Sequence, residues 1–96
     1  MVFEWDEQKR LANIKKHGID LVRAQRVWDG FHITNRLSHE AEPRWVVVGL
    51  LDGREVAVIY TLRGKAIRLI SARRARYDER KKYQTLYQEA SRKNDR

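Results

Sequence analysis

At 96 residues, with 42% hydrophobic and 35% charged side chains, the chain has enough apolar residues for one core and too few residues for a second. It contains no cysteine, which excludes disulfides and thiolate metal sites and suits a reducing cytoplasm. Its formal charge of +8 points to a polyanionic partner and is unevenly placed: residues 1–62 hold nine Lys/Arg and nine Asp/Glu, whereas residues 63–96 hold twelve against four.

Phe3-Glu4-Trp5 reads as a short strand. Asp6 is a helix N-cap, with Glu7 in the first turn, Lys15, Lys16 and His17 in the last, and Gly18 at the left-handed position that ends the helix. Ala24, Val27 and Trp28 at helical spacing predict a second helix that starts after Asp20 and stops at Asp29-Gly30, antiparallel to the first. Phe31 to Thr34 can form a strand, and Ser38 to Pro43 reads as a polar loop.

Trp45 to Leu51, Glu55 to Leu62 and Ala66 to Ala72 are runs rich in β-branched residues, separated by Asp52-Gly53 and by Arg63-Gly64-Lys65. They predict a three-stranded antiparallel meander. Tyr77 to about Arg92 is a helix with Tyr83, Leu86, Tyr87 and Ala90 as its core stripe, followed by a frayed tail. The expected class is α+β, in one domain spanning residues 1–96. It has an antiparallel sheet, made of the meander and one or two short N-terminal strands, with two N-terminal helices and one C-terminal helix gathered on one sheet face.

A two-residue loop at Asp52-Gly53 pairs Trp45 with Tyr60, and a three-residue loop at Arg63-Gly64-Lys65 pairs Tyr60 with Arg68. In that register Trp45, Tyr60 and Arg68 share the open face, where bases could stack on rings and arginine could meet phosphate. The same register leaves open a core role for both aromatic residues and a solvated one for Arg68. Arg73, Arg74 and Arg80 form a dense basic run suited to phosphate, or simply a soluble helix face.

No HExxH, P-loop, GxGxxG or Cys/His cluster occurs, so neither a metal nor a nucleotide cofactor is expected. RNA scission by an adjacent 2′-hydroxyl needs only a base, a proton donor and cations around the phosphorane. Of the three histidines, His39 beside Glu40 in the polar loop has the most favourable setting for proton exchange.

Phe3-Glu4-Trp5-Asp6, Lys9, Asn13, Lys16-His17-Gly18-Ile19, Arg44-Trp45, Tyr60-Thr61-Leu62-Arg63-Gly64, Ile67 through Ala75, Glu79-Arg80 and Tyr83 together resemble the BrnT toxins of bacterial type II toxin–antitoxin systems. The resemblance implies a RelE-like fold and a ribonuclease that arrests translation and growth. It also implies neutralisation by a BrnA-type antitoxin, through whose complex operator DNA is bound. On that reading Arg63, Arg68, Arg73, Arg74 and Arg80 hold phosphate, Trp45 and Tyr60 stack or donate, Ser71 orients its neighbours, and Tyr60 or His39 moves the proton. The protein would act in the cytoplasm, apart from any membrane. The competing readings are a non-catalytic basic module that binds RNA or DNA and a degenerate toxin that only binds its antitoxin. A helix-turn-helix at the N-terminus is disfavoured by the zero net charge there.

Overall fold

Asp6 caps the first helix as its position requires, its carboxylate accepting from the backbone N–H groups of Gln8 at 2.8 Å and Lys9 at 3.2 Å, and Gly18 closes it with φ 71°. The computed structural model describes residues 1–37 and 41–94. In chain order they form β1 (Val2–Trp5), α1 (Glu7–His17), α2 (Leu21–Ala24) continued by a 3-10 turn (Gln25–Asp29), β2 (His32–Arg36), β3 (Trp45–Leu51), β4 (Arg54–Arg63), β5 (Ala66–Arg74) and α3 (Tyr77–Asn94).

The class is α+β, but the sheet is mixed rather than antiparallel. Its order is β1-β5-β4-β3-β2, and β1 lies parallel to β5. Hairpin signals reveal only neighbours in sequence, whereas a parallel pair needs a long crossover, supplied here by everything between the two strands. The second N-terminal helix is also shorter than expected, a single α-turn tightened into 3-10 geometry. That tightened turn packs closely on the sheet. A Cβ on Gly49 would stand 2.8 Å from Val27 Cγ1, so only glycine fits there without displacement.

Helices cover both faces, not one. Val46-Val47-Val48 and Val56-Ala57-Val58 are buried without a break, the mark of strands covered on both sides. On the first face Val47, Val56, Val58, Tyr60, Ile67 and Leu69 pack with Leu21, Ala24 and Val27 beneath the N-terminal helices. On the second, Val46, Val48 and Ala57 pack with Ala75 and Tyr83, and α3 lies over β3.

The first hairpin turns on Asp52 and Gly53, both at positive φ, and pairs Leu51 with Arg54 and Trp45 with Tyr60 as expected. The second does not follow the expected register. Its loop is the two residues Gly64 and Lys65, with Gly64 at φ 60°, so Arg63 pairs with Ala66, Thr61 with Arg68, and Tyr60 with Leu69. An irregularity between Ile59 and Tyr60 then shifts the rest of the ladder. This one-residue difference places Arg68 on the second face and Tyr60 on the first.

Asn13 locks α1 to the sheet. Its Nδ2 donates to Ile19 O at 2.8 Å and Ala72 O at 2.9 Å, and its Oδ1 accepts from Ala72 N at 3.1 Å. Because β1 pairs with β5 only through Leu69, the Asn13 amide serves Ala72 as a strand neighbour would.

Candidate functional site

Strand alternation sends Ile67 and Leu69 into the core beneath the N-terminal helices and Arg68 to the opposite face. There Arg68 stands level with Thr61 on β4 and Glu4 on β1. Its Nη1 lies 3.5 Å from Glu4 Oε1, and the two side chains are 28% and 37% exposed. The Glu4 Oε1 atom is buried and accepts no hydrogen bond from any described residue. Thr61 donates its hydroxyl to Pro43 O at 2.7 Å, which seals one side of this patch with the segment leading into β3.

The neighbouring row of the same face runs from Asn35 through Val46 and Ile59 to Ser71. Ile59 and Thr61 are successive same-face residues of β4, so this row adjoins that of Arg68. Above it Lys82 of α3 donates to Asn35 Oδ1 at 3.1 Å. Arg63, exposed at the end of β4, lies beyond Thr61 on the same face. Arg68, Glu4 and Ser71 thus occupy a partly exposed strip, with Lys82 to one side and Arg63 to the other.

Other expected site residues lie elsewhere. Tyr60 is 7% exposed, in edge contact with Trp28 at 5.3 Å between ring centroids and stacked on Trp45 at 6.0 Å. Burial raises its pKa, so the phenol is a poor proton carrier at neutral pH. Trp45 is half-buried on this first face, with the Arg36 guanidinium 5.7 Å from its ring centre. The expected grouping of Trp45, Tyr60 and Arg68 on one open face is therefore not found.

Arg73 is on the Arg68 face, but it grips Glu79, which also accepts from the backbone N–H of Arg76 at 2.7 Å and so closes the start of α3. Hydrogen bonding from Arg73 holds the Glu79 carboxyl below its ordinary pKa, and the same bond raises that of Arg73. Arg80 donates to Ala75 O at 2.6 Å. Arg74 points to the first face, where with His17 and Arg54 it lines a cleft of about 670 Å³ in which Arg23 is paired with Asp52. His39 falls outside the described residues.

Among the described residues, no three His, Asp or Glu side chains come together as a metal site would require. Nor is any described helix long and apolar enough to cross a membrane.

Residues 5–79 match the family model of the ribonuclease toxin BrnT of type II toxin–antitoxin systems. The chain belongs to the BrnT family. It is also similar to the crystal structure of the Brucella abortus ribonuclease toxin BrnT, with 30% sequence identity and a TM-score of 0.60 over 79% of this chain and 99% of that one. None of the curated proteins is a significant match.

Within this BrnT-family chain, sequence reasoning singled out Arg68, Arg63 and Ser71, which share a face. It did not single out Glu4 or Lys82, which the fold brings to that face. The alternation of Phe3, Glu4 and Trp5 shows that Glu4 points away from the core, but its place beside Arg68 depends on the parallel pairing of β1 with β5.

Proposed function

We propose that this chain cleaves RNA on the sheet face that carries Arg68, by attack of a 2′-hydroxyl on the adjacent phosphorus. The guanidinium of Arg68 meets the charge that builds on the phosphorane, Ser71 donates a hydrogen bond beside it, and Arg63 and Lys82 hold the flanking phosphates. The products are a 2′,3′-cyclic phosphate and a 5′-hydroxyl. No metal or cofactor enters this scheme.

The observation that carries the reading is the setting of Arg68: a guanidinium in mid-strand, 28% exposed, on the face opposite the Tyr60 core and between two exposed cations. A charge in mid-strand is costly unless an anion or solvent meets it; Glu4 meets one side of Arg68, and its exposed remainder is open to phosphate. Trp45 and Tyr60 act as the packed wall behind the strip rather than as stacking platforms, and Arg73 and Arg80 fix the start of α3. Arg74 adds to the general positive field.

As a toxin of a type II system, the protein would work in the cytoplasm, where loss of RNA arrests translation and growth. A BrnA-type antitoxin would neutralise it, and operator DNA would be bound only through that complex. The test uses purified protein and a defined RNA oligonucleotide, with and without EDTA. Cleavage should survive the chelator and stop when the scissile nucleotide is 2′-deoxy. Cleavage of the deoxy substrate, or its loss in EDTA, would refute the scheme.

A further inference from the structure

We infer that Glu4 is the general base of this reaction, taking the proton of the attacking 2′-hydroxyl while Arg68 beside it meets the phosphate. The inference rests on the ribonuclease reading above. A base for this step must share the face of Arg68, be reachable by the ribose and have a free lone pair. Reacting oxygen and phosphorus approach to about 3–3.5 Å before bond formation. The groups that address them must therefore be neighbours, and Glu4 Oε1 lies 3.5 Å from Arg68 Nη1.

Several other proton carriers are placed or occupied differently. His17 lines the cleft on the first face, and His32 holds Gly30 O at 2.8 Å with its Nδ1. Tyr60 is buried in the core. Glu79 is gripped by Arg73, and Glu55 accepts from Gln84 at 2.6 Å. Among these residues, Glu4 combines the right face with a partly exposed carboxylate whose charged neighbour is Arg68.

A buried carboxylate oxygen without a donor is costly, and such an atom calls for an explanation. That oxygen is closed off against Arg68, so the other oxygen of this partly exposed carboxylate is the one a ribose hydroxyl reaches and the one that takes the proton. In the step itself, Glu4 takes the proton from O2′, the O2′–P bond forms and the P–O5′ bond breaks. The leaving 5′-oxygen takes a proton from water, and Glu4 returns its own to solvent. The charged group facing Glu4 from β5, the strand packed against β1, is Arg68. No other described residue forms an ion pair with Glu4.

The experiment compares wild type, Glu4→Gln and Glu4→Asp in single-turnover cleavage across pH, in binding of an uncleavable 2′-deoxy oligonucleotide, and in thermal unfolding. Glu4→Gln should fold and bind like wild type, cleave about 10²–10⁴-fold more slowly, and lose the acidic limb of the rate profile. Glu4→Asp should keep that limb at a reduced rate. A folded Gln variant that cleaves near the wild-type rate overturns the inference. So does a slow one that retains the wild-type acidic limb, since Glu4 would then only orient Arg68. If the Gln variant does not fold, the Asp variant decides: an unchanged rate and profile overturn the proposal, and a slowed rate with a shifted limb supports it. Wild type unable to cleave RNA would sink the ribonuclease reading itself, whereas an active Glu4→Gln enzyme sinks this inference alone.

Discussion

Arg73 and Glu79 hold each other through two parallel hydrogen bonds, Nη1 to Oε1 at 2.7 Å and Nη2 to Oε2 at 3.0 Å, with side chains only 18% and 15% exposed. This pair ties the end of β5 to the start of α3, so Arg73 is a structural residue despite lying in the most basic stretch of the chain. Arg73→Ala should cost about 2 kcal/mol of stability, because it strands a largely buried carboxylate. Denaturant unfolding checks it. RNA affinity at a temperature where the variant is fully folded should fall much less than in Arg63→Ala.

The same pair sets a pH dependence. Arg73 holds the Glu79 carboxyl below its ordinary pKa, so the folded protein binds that proton less tightly than the unfolded chain does. The stabilisation is complete at neutral pH and is lost as pH falls through the folded value. Asp20, held down chiefly by its hydrogen bond from Arg10, acts in the same direction. Melting temperatures measured from neutral pH to about pH 3 should fall. Glu79→Gln should lower the neutral value and flatten the fall.

Asn13→Ala should cost about 3 kcal/mol, since it removes three hydrogen bonds and leaves the backbone of Ala72 unpaired in a buried setting. Hydrogen exchange of the Ala72 amide should accelerate well beyond that of Val58, which keeps its strand partners. Equal protection at both sites would show that another group serves Ala72.

Tyr60→Phe should leave cleavage near wild type, and Tyr60→Ala should destabilise the fold by about 3–5 kcal/mol, as expected for an aromatic ring removed from a packed core. Cleavage rate and thermal unfolding on the two variants separate chemistry from packing. A stable Phe variant with strongly reduced cleavage would return Tyr60 to the reaction.

What the sequence made legible was local. Asp6 and Gly18 mark both ends of α1, Asp52-Gly53 marks the first hairpin, and the Trp45–Tyr60 pair follows by counting from that turn. The basic C-terminal third and the resemblance to BrnT toxins were visible without coordinates. The face of Arg68 was not, because it depends on whether the second hairpin turns on two residues or three, and Gly64 suits both. Glu4 was hidden for a different reason: the parallel pairing of the first strand with the last leaves no local trace. The unbroken valine runs did signal coverage on both faces of the sheet, which an alternating reading of β3 and β4 overlooks.

The most direct test of the account is the cleavage rate of a defined RNA oligonucleotide by Arg68→Ala, measured with its thermal unfolding. The side chain lies outside both buried clusters, so the variant should fold. Its cleavage should drop by about 10²–10³, the scale of removing one transition-state donor. A folded Arg68→Ala protein that cleaves as fast as wild type would contradict the placement of the reaction on this face.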